Sequence, residues 1–330
     1  MRNAGESRRT VAPVLTLFLL APLVGEVLGA AMRLSYLVQP LRVLGVMFFY
    51  GAGVVLIREV ARRLGLSWRG VALLALAFAL VEEGLALQTI FNPAGPGEDT
   101  VFGRVAGVNW FWAVVVCGYH VVWSVLVPIA VVECLFPQRR RSAWLSKRAT
   151  AVFGGLFLLG AAAFLLISFL RSDYRLPLGL AAATLLLVAA SAWAATRCVA
   201  VRGLPDPAPR RAPRPATVAW FGLLAGIGWF VLHLVAFIGG AVSFVLWTAI
   251  AVVLAAASVA LVRRWTRSAW TPRHVLALAF GVMMSATLFG LFLVLADGRP
   301  ENTVFQLVLL VALPAAYQVL KRRYTPQPVG

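Results

Sequence analysis

The sequence predicts an all-α protein, a polytopic bundle of about ten transmembrane helices with both termini in the cytoplasm. Three observations predict this fold class. Hydrophobic residues make up 61% of the 330 residues and charged residues only 13%, whereas a soluble domain is about half apolar and a quarter charged. Apolar stretches of about 20 residues, enough to cross a ~30 Å hydrocarbon core as a helix, recur along the whole chain. The short alternating segments of a β-barrel are absent.

The predicted spans follow one another with short connections. In chain order they cover residues 11–30, 43–60, 70–91, 109–135, 149–170, 177–199, 217–238, 241–262, 275–296 and 303–320. The seventh and eighth spans are separated only by a short segment in which Gly239 and Gly240 permit a tight turn. An even number of spans places both termini on the same side of the membrane.

The basic residues set the expected orientation. The formal net charge is +18, but Lys and Arg lie in short clusters between the spans, so topology accounts for them and a nucleic-acid partner is not expected. With the N-terminus in the cytoplasm, 24 of the 30 basic residues fall in inner segments. This alternation predicts a multi-pass protein of the bacterial cytoplasmic (inner) membrane, with lipid as its surroundings.

One linker divides the chain. Residues 202–216 read "RGLPDPAPRRAPRPA", and their proline content forbids a continuous helix. We therefore predict a six-span part over residues 1–201, a Pro/Arg-rich cytoplasmic linker over 202–216 and a four-span part over 217–330. The alternative, a flexible cytoplasmic loop inside one domain, stays open at this stage.

Three ionisable residues lie inside predicted spans at a similar depth. Glu82 and Glu83 lie about eight or nine residues below the outer end of the third span, and His120 about eleven residues into the fourth. At 1.5 Å per residue, these positions are roughly 12–16 Å deep, and consecutive spans are usually neighbours. A charge at mid-bilayer costs about 2.5–3.5 kcal/mol or more. We therefore expect at least one glutamate to be protonated or paired with His120.

This combination of side chains indicates proton chemistry. A carboxyl group beside an imidazole is suited to general acid–base catalysis and equally to a proton relay. The candidate catalytic residues are Glu82, Glu83 and His120. Because adjacent residues point about 100° apart on a helix, only one glutamate is expected to face His120 while the other faces a different helix.

Six further side chains are candidates for substrate binding. They are Glu26, Gln88, Asn92, Asn109, Trp123 and Ser124. Trp123 and Ser124 lie about one helical turn below His120, where Ser124 could hydrogen-bond the imidazole and Trp123 could wall a cavity. Asn92 and Asn109 belong to an irregular outer loop. They could reach a ligand, or they could instead serve as a solvated loop residue and a helix cap.

The remaining acidic residues lie where water or arginine can compensate them. Outer loops hold Glu98, Asp99, Asp173, Asp297 and Glu301. Glu59 ends the second span beside Arg58. Glu133, near the inner end of the fourth span, is expected to form a surface ion pair with Arg139 and Arg140.

The glutamate pair and the histidine resemble motifs of the CPBP family, also called Abi or CAAX-protease-like proteins. The motifs of that family read EExxxR, then FxxxH, then HxxxN. Glu82 and Glu83 match the first motif, although Leu87 stands at its arginine position. His120 matches the histidine of the second motif, with Val116 at the phenylalanine position. The resemblance covers about 45 residues, and it implies an intramembrane protease with a catalytic glutamate and histidine.

The third motif has no counterpart. His233 is followed four residues later by Phe237 and His274 by Leu278, where the family has asparagine. The chain also looks like uncharacterised multi-pass membrane proteins of high-GC Gram-positive bacteria, a likeness that implies no activity.

Three functions therefore stay open. The first is an intramembrane hydrolase that acts on a peptide or lipid-linked substrate; the second is a proton- or cation-coupled transporter; the third is a non-catalytic scaffold or accessory subunit. No HExxH, Walker A or GxSxG pattern occurs, so neither a cofactor nor a metal ion is expected. A metal site formed by Glu26, Glu83 and His120 is a less favoured alternative, because it has no spacing signature.

Overall fold

The computed structural model describes residues 4–94, 102–200, 211–239 and 243–324. These residues form eleven α-helices, one short 3₁₀ helix (Pro137–Arg139) and one small hairpin. The helices are α1 (Ala4–Pro22, continued by the π-helical segment Leu23–Val27), α2 (Leu34–Leu37), α3 (Pro40–Arg63), α4 (Trp68–Ala79, continued by the π-helical segment Leu80–Ala86), α5 (Trp110–Leu135), α6 (Lys147–Arg171), α7 (Leu178–Thr196), α8 (Pro215–Gly239), α9 (Phe244–Thr266), α10 (Pro272–Asp297) and α11 (Pro300–Arg322). The hairpin pairs β1 (Arg104–Val105) with β2 (Val108–Asn109) through Ala106 and Gly107, both at positive φ as a type I′ turn requires.

Nine of these helices are long and apolar enough to cross a membrane, namely all except α2 and α4. The prediction of an all-α polytopic bundle is therefore confirmed for the described part of the chain. The predicted third span, 70–91, differs from the others because its helix, α4, carries Arg69, Glu82 and Glu83 and ends at Ala86. The cytoplasmic placement of the termini stays a prediction.

The end of α4 does not lie at a surface. The backbone leaves the helix after Ala86, and Gln88 adopts a positive φ of 59°. The next residues remain inside the protein, with Ile90 and Phe91 packed against Val116 of α5. The two glutamates are therefore three and four residues from their helix end, rather than eight or nine as the sequence predicted.

Four helices of the described chain contain a π-helical segment. These segments are Leu23–Val27 in α1, Met47–Ala52 in α3, Leu80–Ala86 in α4 and His120–Leu126 in α5. Each inserts i→i+5 hydrogen bonds into an α-helix, which is rare and frequent at functional sites. Three of the four segments contain candidate site residues, namely Glu26 in α1, Glu82 and Glu83 in α4, and His120, Trp123 and Ser124 in α5.

The structure divides into two compact units. The first comprises Met1–Gly25 and Leu37–Arg202. Its core contains an aromatic cluster in which the ring of Phe49 lies 4.7 Å from that of Phe78 and 5.1 Å from that of Phe164. Gly160 lets α6 approach this cluster, because a Cβ atom there would lie 2.5 Å from the backbone nitrogen of Phe49.

The second unit comprises Glu26–Tyr36 and Gly203–Gly330. Its central helix is α10, against which α8 and α11 pack. Gly281 permits the contact between α10 and α8, since a Cβ atom there would lie 2.0 Å from the carbonyl oxygen of Ala219. The segment after α1 is held in this unit by Gln306, whose Nε2 donates to the carbonyl oxygens of Leu28 (2.6 Å) and Thr287 (3.1 Å).

The predicted linker 202–216 lies only partly within the described residues. Residues 201–210 fall outside them, residues 211–214 have no regular structure, and α8 begins at Pro215. A proline in the first turn of a helix loses no intrahelical hydrogen bond, which explains why the helix begins here.

Candidate functional site

The site is built around a direct contact between α4 and α5. Oε1 of Glu83 lies 2.8 Å from Nε2 of His120. Both side chains are almost completely buried, with 6% of Glu83 and 4% of His120 exposed. A carboxylate and an imidazole thus share a hydrogen bond inside the protein, where the low dielectric strengthens it.

The second glutamate faces a different helix. The hydroxyl of Tyr50, on α3, donates to Oε1 of Glu82. The other carboxylate oxygen, Oε2, lies 3.6 Å from Nδ1 of His120. The imidazole therefore has a carboxylate on each side, and a positive charge on the ring would be compensated from both.

Two hydroxyl groups form further hydrogen bonds, one with the His120 imidazole and one with the Glu83 carboxylate. Ser124 Oγ lies 3.0 Å from Nδ1 of His120, one turn along α5. Thr89, in the buried turn after α4, donates its hydroxyl hydrogen to Oε2 of Glu83. When Nε2 carries the ring proton and donates it to Glu83, Nδ1 accepts from Ser124.

The π-helical segments bring these groups together. Tyr50, Glu82, Glu83 and His120 all lie within such segments. A π-helical turn contains more residues than an α-helical turn, so it shifts the side chains that follow it around the helix axis. The sequence pattern did not indicate these segments.

An aromatic pair packs beside the imidazole. Trp123 stacks on Tyr119, with ring centroids 5.3 Å apart and planes inclined by 9°. Tyr119 donates its hydroxyl hydrogen to the carbonyl oxygen of Gly25, 2.8 Å away. Trp123 is buried, and its stacking partner Tyr119 packs edge-on against His120 with ring centroids 5.6 Å apart; a role of Trp123 in the wall of a cavity stays a prediction.

Gly25 marks the point where α1 comes closest to the site. A Cβ atom on this residue would lie 2.8 Å from Oγ of Ser124 and 3.1 Å from Cδ1 of Tyr50. Only a residue without a side chain fits between the two groups that hold His120 and Glu82.

The other candidate binding residues are placed differently. Asn109 caps α5, its Oδ1 accepting from the backbone N–H of Trp112 at 3.0 Å. Asn92 donates to Oγ of Ser172 and accepts from the backbone N–H of Ala94. Asn109 is thus the helix cap that the sequence had left open as an alternative, whereas Asn92 is buried and is not a solvated loop residue.

Gln88 and Glu26 complete the candidate set. Gln88 is buried at 3% exposure in the turn after α4, and its Oε1 has no hydrogen-bond partner among the described residues. Glu26 is half-buried on the π-helical segment of α1, and it falls in the second compact unit. Among the described residues, Glu82, Glu83 and His120 bring two carboxylates and an imidazole within reach of one another.

These three residues are also the group that could hold a cation. Each offers one ligand atom, and the three atoms lie within 4.8 Å of one another. The set differs from the sequence-based alternative because Glu82 takes the place of Glu26. Oxygen and imidazole nitrogen donors suit several divalent metal ions.

Two residues of the site were missed by sequence reasoning. Tyr50 stands in the apolar run "VMFFYGAGVV" of the second predicted span. Its hydroxyl is the one polar side-chain group of that run, and a buried tyrosine hydroxyl usually has a hydrogen-bond partner. Thr89 follows the glutamates directly, but nothing in the pattern shows that its backbone turns back toward them.

A second buried charge cluster corrects the expectation for Glu133. Its carboxylate does not pair with Arg139 and Arg140 at the surface; both of its oxygens accept from Arg62 at 2.6 Å, and one also accepts from Arg58 at 3.2 Å. Arg58 also donates to the backbone carbonyl oxygens of Arg139 and Arg140. The pairing partners come from α3, which sequence proximity could not indicate.

Comparison with known proteins identifies the family. A family model described as an uncharacterised membrane protein family matches residues 15–322, which includes the whole site. The chain belongs to this family. No curated protein and no solved structure matches it.

Membership agrees with the nine apolar helices and makes this family member a multi-pass membrane protein. The site lies inside the matched region, on three helices of the first unit.

Proposed function

We propose that this protein is an intramembrane hydrolase in which Glu83 is the general base. The observation that carries the proposal is the 2.8 Å contact between Glu83 Oε1 and His120 Nε2 within a buried site. A base must be within hydrogen-bond reach of its proton partner, and a buried carboxylate–imidazole pair fulfils this condition.

The remaining groups have defined roles in the proposed reaction. Glu83 takes a proton from water while the water oxygen bonds to the carbonyl carbon of an amide or ester. The C–N or C–O bond then breaks, and the proton passes through Glu83 or His120 to the leaving atom. Ser124 orients the imidazole, and Glu82, held by Tyr50, compensates a charge on the ring.

The resemblance to CPBP proteases supports the same chemistry over a short segment. The matching residues, Glu82, Glu83 and His120, are the three that meet in the structure. The departures remain: Leu87 replaces the arginine, and the third motif is missing. The proposal therefore names only the substrate class, a peptide or lipid-linked molecule within the membrane, and specifies no cleavage sequence.

Incorporation of labelled oxygen tests the proposal directly. Membranes containing the wild-type protein are incubated in H₂¹⁸O, and their peptides and lipids are analysed by mass spectrometry. We expect products with one ¹⁸O atom that fall by about 100-fold or more with Glu83→Gln, the range lost with a general base. Glu301→Gln, at an exposed carboxylate, is the matched control. Identical product profiles for wild type and Glu83→Gln would refute the hydrolase.

Cation-coupled transport is the second candidate, and one observation favours it. The three ligand atoms within 4.8 Å of one another form a site that a proton or cation could occupy. In proteoliposomes with an internal pH dye, a transporter would move protons and Glu83→Gln would not, while no ¹⁸O product would form. If the protein showed neither activity, Glu82, Glu83 and His120 would be assigned a structural role in a scaffold.

A further inference from the structure

The second unit contains a groove that is lined by residues outside the site described above. It has a volume of about 630 Å³ and lies over α10, between α8 and α11. Its floor is formed where Gly281 contacts Ala219, because the absence of a side chain at Gly281 brings the two helices together. Larger side chains on either side, among them Trp220 and Phe280, form its walls.

The groove is apolar along its length and basic at one end. Arg273 lies in the first turn of α10 and Lys321 in the last turn of α11, and both line the groove. The contact of His274 with the carbonyl oxygen of Pro213 shows that the start of α8 lies at the same end. The groove is therefore bordered by two cationic side chains at the end where α10 begins and α11 ends.

An aromatic stack separates the basic end from the apolar part. The rings of Phe280 and Tyr317 lie 4.4 Å apart with planes inclined by 13°. Nζ of Lys321 lies 5.9 Å from the Tyr317 ring. Tyrosine at the junction of a cationic and an apolar region is typical of the membrane–water interface.

The length of the groove corresponds to one leaflet. From Arg273 to Met284, the groove follows eleven residues of α10, which at 1.5 Å per residue is roughly 16 Å. Half of a ~30 Å hydrocarbon core is of similar length. A molecule with an anionic head at Arg273 and Lys321 would thus place its chain against Phe280 and Met284.

We propose that this groove binds one anionic phospholipid, with its phosphate between Arg273 and Lys321 and an acyl chain along Gly281 and Met284. The charge of the rim selects an anionic over a zwitterionic headgroup. The distribution of arginine predicts that this end faces the cytoplasm, the side on which basic pockets between helices bind anionic lipid.

Native mass spectrometry tests the proposal on the full-length protein. The protein is released from nanodiscs of equal phosphatidylglycerol and phosphatidylcholine, and the retained lipid is identified. The wild type should retain one phosphatidylglycerol. Removal of both cations, R273A/K321A, should weaken its retention by about tenfold to thirtyfold, the effect expected for two basic residues at a lipid headgroup.

Two further variants locate the effect. R322A/R323A removes the same charge from exposed positions at the same end of α11 and should retain the lipid as the wild type does. Ala216→Trp places a large side chain in the groove while both cations remain, and should also lose the lipid.

Equal retention of the two lipids by the wild type, equal loss in both double variants, or retention by Ala216→Trp would each overturn the proposal. A dimer that only R273A/K321A dissociates would instead assign the groove to a second copy of the chain.

Discussion

Nε2 of His120 lies 2.8 Å from Oε1 of Glu83, although the two residues are 37 positions apart in the sequence and belong to different helices. The contact is completed by Ser124 on one side of the ring and Thr89 behind the carboxylate. These four side chains form a buried polar network in which the loss of any member removes a hydrogen bond from its neighbour.

A double-mutant cycle measures the strength of that contact. Glu83→Gln and His120→Ala should each lower the thermal unfolding midpoint in detergent, and the double variant should be less destabilised than the sum of the two. Interhelical hydrogen bonds in membranes are worth about 0.6–2 kcal/mol, so we expect a coupling free energy in that range. Additive effects within error would show that the two groups do not interact.

Tyr50→Phe removes the hydroxyl that donates to Glu82 and keeps the ring in place. Oε1 of the buried Glu82 carboxylate then loses this hydrogen bond, which costs about 1–3 kcal/mol. We expect a lower unfolding midpoint and, if the proposed hydrolase is correct, a reduced rate of ¹⁸O incorporation. Tyr174→Phe, outside the membrane-spanning helices, is the control. A Tyr50→Phe protein as stable and active as the wild type would remove Tyr50 from the site.

Glu133→Ala should be among the most destabilising single changes in the first unit. It leaves Arg58, which is completely buried, and Arg62 without their carboxylate. Breaking a buried ion pair from one side costs about 3–5 kcal/mol. The measurement is the yield and unfolding midpoint of folded protein. Glu301→Ala, at an exposed position, should change neither; a similar midpoint for both variants would contradict the buried cluster.

Gly25→Ala should distort the site without changing any polar group. The new methyl group would lie 2.8 Å from Oγ of Ser124, and overpacking of this kind costs about 1–3 kcal/mol. Ser124→Ala in the same chain should recover part of the loss, since it removes the closest atom. Gly154→Ala, where a Cβ atom has no neighbour within 4 Å, serves as the control and should be neutral or slightly stabilising. The prediction fails if Gly25→Ala and Gly154→Ala unfold at the same temperature.

The candidate site was partly predictable. Glu82, Glu83 and His120 stand out in the sequence because charged and imidazole groups are rare inside apolar runs. Tyr50 is a weaker signal, its hydroxyl being the one polar side-chain group of an apolar run, and Thr89 gives none, because its contact depends on how the turn after α4 folds back. The helix was also predicted to continue to residue 91, whereas α4 ends at Ala86 and the following turn, although it is not helical, remains buried.

The sequence by itself determined that this chain is a bundle of apolar helices in a membrane, because hydropathy is a local property that each helix satisfies independently. The tertiary structure decided which polar groups meet. The contacts of Glu82 with Tyr50 and of Glu133 with Arg62 depend on how helices rotate and pack, and on π-helical segments that shift side chains around the helix axis. Those choices arise from the packing of distant residues, which no local pattern encodes.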